Sequence, residues 1–133
     1  VQTCALPISV RRVYGNPLVR HVAGKVAIQR GPLVYCLEQA DNGESLHNLW
    51  LPADAPFTTF EGNGLFRHKI LIQAPGYRYE QSNPEQQPLW HYDSAPAKRQ
   101  PQILTFIPWF SWANRGEGEM RIWVNEETSA IRR

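Results

Sequence analysis

The sequence predicts an all-β domain, an antiparallel β-sandwich of jelly-roll type. Short apolar or alternating runs recur along the 133 residues, and nine glycines and eleven prolines separate them. No segment keeps a helical period over three turns, which favours strands over a helical bundle. The length fits one domain with a buried core, and two cysteines are too few for a disulfide framework.

The first half of the chain contains five predicted strands, at residues 10–14, 18–22, 25–29, 33–37 and 46–51. In the third, Val26 and Ile28 fall on one face and Lys25 on the other, which is typical of a half-buried strand. The fourth is a continuous apolar run, LVYCL, and predicts a central strand buried on both faces. Residues 41–44 read DNGE and predict a turn.

Three further strands are predicted in the second half, at residues 69–73, 103–107 and 119–124. Residues 74–102 between the first two are polar and rich in proline, and we expect a long loop there. The third alternates, which places Met120, Ile122 and Val124 inward and Trp123 outward. Residues 125–133 are expected to form a polar tail.

The charge balance narrows the possible functions. The chain carries 14 basic and 12 acidic residues, which excludes nucleic-acid binding by bulk charge. No apolar run is long enough to span a bilayer, and the first nine residues contain no signal-peptide pattern. The sequence therefore predicts no nucleic-acid or membrane partner and leaves the compartment open, with the cytoplasm favoured.

Residues for catalysis or metal binding are sparse. The four histidines are scattered without a metal-ligand spacing, and Cys36 lies inside an apolar run, as expected of a small buried side chain. Glu117 and Glu119 would share a face of an extended strand, and an independent glycosidase would need two carboxylates about 5–9.5 Å apart. Solvated charges are the favoured interpretation of this pair. We predict no catalytic, metal-binding or cofactor-binding residue in the chain.

The aromatic loop at residues 108–118 is the one local feature above background, and its candidate contact residues are Trp109, Phe110, Trp112, Asn114 and Arg115. Tryptophan faces can stack on sugars while amide and guanidinium groups bind hydroxyls. The same rings can instead pack on a neighbouring domain, because aromatic side chains dominate interfaces. Packing on protein is the favoured interpretation, and sugar binding is the alternative.

The first eight residues read VQTCALPI, and a DNA sequence that encodes them resembles a common sequencing adapter. We therefore expect residues 1–8 to be an artefact, and exclude them, with Cys4, from fold reasoning.

Three separated blocks resemble glycoside hydrolase family 127, the family of β-L-arabinofuranosidases. Residues 24–38, GKVAIQRGPLVYCLE, resemble the opening of the family's C-terminal β-sandwich. Residues 10–18, VRRVYGNPL, resemble the last strand of its middle sandwich, and residues 112–124, WANRGEGEMRIWV, its closing loop and strand. The resemblance implies a remnant of the middle sandwich or linker at 9–16, the C-terminal sandwich at 17–126 and a tail at 127–133.

The family's plan is an (α/α)6 barrel followed by two β-sandwiches. The resemblance implies that catalysis resides in the barrel, where zinc with Cys and Glu ligands activates a Cys nucleophile and a Glu is the acid/base. No position here matches those motifs, and Cys36 lies in a sandwich strand.

The resemblance therefore implies a non-catalytic C-terminal domain of a β-L-arabinofuranosidase-like enzyme. We expect the chain to be inactive alone, to need no cofactor, and to stabilise the missing barrel by packing on it. Its expected partners are the missing catalytic and middle domains, and homo-oligomer formation is left open. A carbohydrate-binding module that uses the aromatic loop is the alternative.

Overall fold

The computed structural model describes residues 8–80, 85, 89, 90 and 98–128. Apart from Ile8, the predicted adapter segment lies outside these residues, as do residues 129–133 of the predicted tail. The described chain is all-β, as predicted, with strands β1 Val10–Val13, β2 Lys25–Arg30, β3 Leu33–Glu38, β4 Leu49–Pro52, β5 Thr58–Glu61, β6 Ile70–Tyr79, β7 Arg99–Pro108, β8 Met120–Arg121 and β9 Val124–Glu127.

The helical segments of the described chain are short. The α-helix α1 spans Gln39–Asn42, and four 3₁₀ turns span Arg20–Val22, Leu46–Asn48, Gly64–Phe66 and Trp109–Ser111. None of the described helices is long and apolar enough to cross a membrane.

The strands form a ring of hydrogen-bonded neighbours, in the order β2, β9, β4, β6, β7, β3 and back to β2. Three more strands extend this six-stranded barrel, since β1 pairs with β2, β5 with β6 and β8 with β3. The pairing of β4 with β9 is parallel, and the other pairings are antiparallel. The architecture therefore differs from the predicted antiparallel sandwich, because β9 and β4 join the two ends of what would otherwise be an open sheet.

Residues 9–16, predicted to be the end of a preceding domain, contribute β1 to this barrel. Val10 pairs with Arg30 and Val13 with Ala27, and Val10 packs against the core. The Arg12 side chain donates to the carbonyl oxygens of Pro52 (2.9 Å) and Ala55 (3.1 Å). The domain boundary in the longer protein stays a prediction.

The core has two parts, on opposite faces of β3, β6 and β7. Alternate residues such as Tyr35, Ile72 and Phe106 are completely buried inside the barrel, in one cluster with side chains of β2, β4 and β9. A smaller outer cluster consists of Cys36, Phe66, Leu71 and Ile107. The predicted burial of β3 on both faces is thus confirmed, because Tyr35 and Cys36 point into different clusters.

Three strand predictions and the predicted tail differ from the structure. Residues 46–51 begin with the 3₁₀ turn Leu46–Asn48, and β4 starts at Leu49. Residues 18–22 include the 3₁₀ turn Arg20–Val22, and Leu18 is 88% exposed, so apolar side chains alone do not make this run a strand. The predicted strand at 119–124 is divided between β8 and β9, because the chain leaves β3 there and joins β2 and β4. The predicted tail begins inside β9, where Glu127 is buried.

The predicted loop at 74–102 is shorter than expected, because strands cover both of its ends. β6 continues to Tyr79 and β7 begins at Arg99, and the two pair along their length from Ile72–Phe106 to Tyr79–Arg99. The rest of the loop lies mostly outside the described residues.

Candidate functional site

The loop that follows β7 presents three aromatic side chains to the surface. Trp109 is 48% exposed, Phe110 is 49% exposed and Trp112 is 42% exposed. Leu65, in the neighbouring 3₁₀ turn Gly64–Phe66, is 60% exposed. The side chains of Leu65, Trp109, Phe110 and Trp112 are called the aromatic surface below.

Buried contacts under the aromatic surface hold its two segments together. Ser111 is completely buried, and its Oγ accepts a hydrogen bond from Lys69 Nζ at 3.1 Å. The same ammonium lies 5.4 Å from the ring centroid of Phe110 and 6.0 Å from that of Phe66. Lys69 therefore connects the 3₁₀ turn after β5 to the turn after β7.

Arg115 holds the far side of the aromatic loop against α1. Its guanidinium donates to both carboxylate oxygens of Asp41, at 2.7 and 2.6 Å, and to Glu38 at 3.3 Å. It also covers the Phe66 ring at 4.7 Å. The Asp41 hydrogen bonds, with smaller contributions from the charges of Asp41 and Glu38, raise the pKa of Arg115 despite its partial burial.

The sequence-predicted residues are therefore not equivalent. Trp109, Phe110 and Trp112 lie in one exposed turn, where the Trp112 amide donates to the Trp109 carbonyl at 3.2 Å. Asn114 is exposed farther along the loop, and Arg115 is bound to Asp41 and Glu38. Sequence reasoning missed Leu65 and Lys69, which lie 40 or more residues earlier, because only the β5–β6–β7 pairing brings them to this loop.

The aromatic surface lies at one edge of the antiparallel sheet formed by β1, β2, β3, β7, β6 and β5. Register places six strand ends along this edge, namely Val10, Arg30, Leu33, Pro108, Ile70 and Glu61. The Tyr35 hydroxyl donates to the Ile70 carbonyl at 2.7 Å and joins β3 to β6 near the same edge. The chain therefore enters the domain, at Val10, on the edge where the aromatic loop is exposed.

The acidic residues that sequence analysis considered have structural partners or lie in solvent. The Glu119 carboxylate accepts hydrogen bonds from the backbone N–H groups of Ser45 (3.0 Å) and Leu46 (2.9 Å). These two bonds, that of Leu46 first, lower the pKa of Glu119. Glu117 is exposed.

Cys36 is completely buried in the outer cluster. Burial raises the pKa of its thiol to about 12, with the charges of Glu38 and Asp41 adding to the effect. The prediction that Cys36 is a buried side chain is confirmed. Across the described residues, no three or more His, Cys, Asp or Glu side chains are arranged to hold a metal ion. These residues therefore do not fit the zinc site that the family resemblance implies for the missing catalytic barrel.

An open groove of about 630 Å³ runs between the α1 loop and the end of β6, and its lining includes Asp41, Glu44, Arg78 and Glu80. The Arg78 guanidinium donates to the carbonyl oxygens of Asn42 and Glu44 and to the Gln102 side chain. Its hydrogen-bonding capacity is thus largely used within the fold, which is typical of a structural arginine.

Comparisons with known proteins give one consistent result. The family model for the glycoside hydrolase family 127 C-terminal domain matches residues 10–125. A non-reducing end β-L-arabinofuranosidase from Bifidobacterium longum subsp. longum is 39% identical over 122 residues, which are 88% of this chain and 18% of that protein.

Solved structures of longer proteins contain the same fold. A family 127 β-L-arabinofuranosidase from Geobacillus stearothermophilus T6 aligns with a TM-score of 0.81 and 41% identity, over 91% of this chain and 19% of that one. A family 127 β-arabinofuranosidase aligns with a TM-score of 0.74 and 30% identity, over 90% and 17% of the two chains. The chain thus spans less than a fifth of the length of these relatives.

Proposed function

Since the chain belongs to glycoside hydrolase family 127, as its C-terminal domain, we propose that it is the non-catalytic accessory domain of a β-L-arabinofuranosidase-like enzyme. In that role it packs on the rest of the polypeptide, including the (α/α)6 catalytic barrel, and stabilises it. The proposal includes that this domain, whose strands close into a barrel, corresponds to the C-terminal β-sandwich of the family.

The observation that carries the proposal is the aromatic surface. A monomeric domain gains nothing from holding two tryptophans and a phenylalanine half-exposed in a firmly anchored turn, whereas exposed apolar patches commonly mark contacts with protein. The patch lies at the same end of the sheet as Val10, where the preceding polypeptide of a longer relative would reach this domain, with β2 and β3 between β1 and β7. Its position therefore suits an interface with that polypeptide.

The state of the polar residues supports a non-catalytic role. Glu38 and Asp41 share Arg115, and Glu119 is bound to two backbone N–H groups. A glycosidase needs one carboxyl group free to donate a proton and a second free to act as a nucleophile or base. These three carboxylates are instead engaged in holding loops together.

The alternative, sugar binding by the aromatic loop, has less support. A sugar site needs hydrogen-bonding groups beside the stacking rings, and Arg115 was the predicted donor. Its guanidinium is bound to Asp41 and Glu38 and covers Phe66, so it would have to leave these partners to bind a hydroxyl group.

A joined protein tests the accessory role. Residues 9–128 replace the matching C-terminal region of the Geobacillus relative, and calorimetry compares the joined protein with the free chain. We expect Trp109→Ala with Trp112→Ala to lower the Tm of the joined protein by several degrees, because the rings lose their partner, while the Tm of the free chain changes little.

Leu18→Ala is the matched control, since Leu18 is 88% exposed and lies in a different loop. The free chain is also assayed with a chromogenic β-L-arabinofuranoside, with no turnover expected. Equal losses of Tm in the free and joined proteins, or turnover by the free chain, would contradict the accessory role.

A further inference from the structure

Lys69 is an ammonium group at the centre of the aromatic surface that lacks an acidic partner. Among the described residues, its Nζ contacts neutral groups, namely Ser111 Oγ at 3.1 Å, the Leu65 carbonyl at 3.4 Å and the two ring faces. Among the described residues, no carboxylate lies within 4.0 Å of it, although five other ion pairs form elsewhere. A cation so placed is available to an acidic group that approaches over the rings.

Two arginines add to the positive charge near this edge. Arg30 ends β2 beside Val10, and its Nε is buried without a hydrogen-bond partner in the part of the chain that the structure describes. Arg67 is exposed next to Phe66. Neither guanidinium has a carboxylate within 4.0 Å among the described residues.

Three carboxylates of this region have other partners. Glu38 and Asp41 both pair with Arg115, and Glu61, at the end of β5, lies 3.5 Å from His68 with both side chains mostly exposed. Lys69, Arg30 and Arg67 therefore remain without a carboxylate partner among the described residues. Interfaces tend to place charges of opposite sign across from each other, which indicates an acidic partner.

The occupant follows from the direction of the chain and from the proposed function, on which this step rests. In relatives about five times longer, most of the polypeptide precedes this domain, whose family is defined as C-terminal. Since β1 begins at this edge, the preceding polypeptide is covalently attached at the end of the domain that carries the aromatic surface. No second chain is needed to cover it.

We propose that the aromatic surface docks on an acidic, apolar-rimmed surface of the preceding domain of the same polypeptide, and that a carboxylate of that domain pairs with Lys69 between the rings. The rings exclude water from the pair and strengthen it, while the pair fixes the orientation in which the two domains dock. Arg67 contributes to the surrounding charge.

The joined protein described above tests this pairing. Lys69→Glu is expected to lower its Tm by about 3–6 °C beyond any change in the free chain, because it sets two carboxylates against each other. Lys69→Arg keeps the charge and should stay within about 1 °C of the parent. Arg67→Glu, at an exposed position, should lower the Tm in the same direction by a smaller amount.

The dependence of the Tm on salt distinguishes ion pairing at Lys69 from apolar packing of the rings. Raising NaCl to 1 M screens partly exposed pairs, so the parent should lose Tm relative to Lys69→Met, whose interface has no charge to screen. Arg20→Glu is the control, since Arg20 is exposed in the turn Arg20–Val22. It should leave the Tm of the joined protein unchanged.

The outcomes distinguish the two proposals. If the tryptophan variants lower the Tm of the joined protein but Lys69→Glu and Arg67→Glu change the Tm of the joined and free chains equally, the acidic pairing is wrong and the accessory role stands. If neither set of variants acts specifically on the joined protein, the accessory role itself is wrong and the pairing falls with it.

Discussion

At the scale of single residues, the roles of polar side chains depended on partners that lie far away in the sequence. Arg115 was predicted as a contact for sugar or protein. In the structure its guanidinium donates hydrogen bonds to Asp41 and Glu38, which lie more than 70 residues earlier in the sequence. Glu119 was predicted to face solvent, and it is exposed, but it also accepts hydrogen bonds from the backbone of Ser45 and Leu46. Residue type shows that a group can pair, but the fold decides with which partner.

The Glu119 contacts predict an acid-sensitive loop. Because its pKa is lowered by folding, Glu119 contributes stability that is fully present above the unfolded-state pKa of about 4.3 and is lost as the pH falls through the folded-state value. Urea unfolding at several pH values should therefore show stability falling below about pH 4.3 in the parent. In Glu119→Gln this part of the decline should be smaller.

Glu117→Gln is the control, since Glu117 is an exposed carboxylate two residues away. It should keep the parent's profile. Identical pH profiles for the parent and Glu119→Gln would mean that the two backbone hydrogen bonds do not matter in solution.

At the scale of elements, alternation located the strands well and their ends poorly. β2, β3 and the centre of β7 lie where the pattern predicted them. The prolines of the 74–102 segment indicated a loop, yet two of them lie in strands. Pro75 lies in β6, between the residues that pair with β5 and those that pair with β4. Pro101 lies in the part of β7 that does not pair with β3. A missing N–H is tolerated at such positions, and the sequence does not show where they are.

A glycine in β6 sets how closely β4 can approach. A Cβ atom added to Gly76 would lie 2.7 Å from the Trp50 carbonyl oxygen and 2.8 Å from Leu104 Cδ1, both closer than normal contact. Gly76→Ala should thus lower the free energy of unfolding by about 1–3 kcal/mol, measured by urea titration. Thr59→Ala, at an exposed position of β5, is the control and should change it by less than about 0.5 kcal/mol. An unchanged free energy of unfolding in Gly76→Ala would show that β4 can move away from β6 without an energetic cost.

At the scale of the whole molecule, the fold class was predictable and the closure was not. The same inward-outward alternation is typical of a sandwich and of a barrel, so it cannot distinguish them. The difference rests on β4 pairing in parallel with β9, which lies 75 residues later, and no local pattern encodes that contact. The family, in contrast, was identified from short blocks of sequence, because those blocks retain specific residues.

The burial of Cys36 at the meeting of three strands and the 3₁₀ turn Gly64–Phe66 makes its thiol a reporter of global unfolding. In a Cys4→Ser variant, the thiol should react with Ellman's reagent far more slowly than a free thiol, because it is inaccessible and its pKa is raised to about 12. Adding urea should raise the rate in parallel with the unfolded fraction, and the fully unfolded variant gives the reference rate. Rapid labelling without urea would show that the outer cluster opens locally.

The parallel pairing of β9 with β4 also has a consequence for biosynthesis. A ribosome adds β9 after the other eight described strands, and β9 supplies the contact that joins β2 to β4. Until it emerges, the edges of β2 and β4 that it will cover have unpaired backbone groups, which can attract other nascent chains. The barrel of this domain therefore cannot close during synthesis until β9 has emerged.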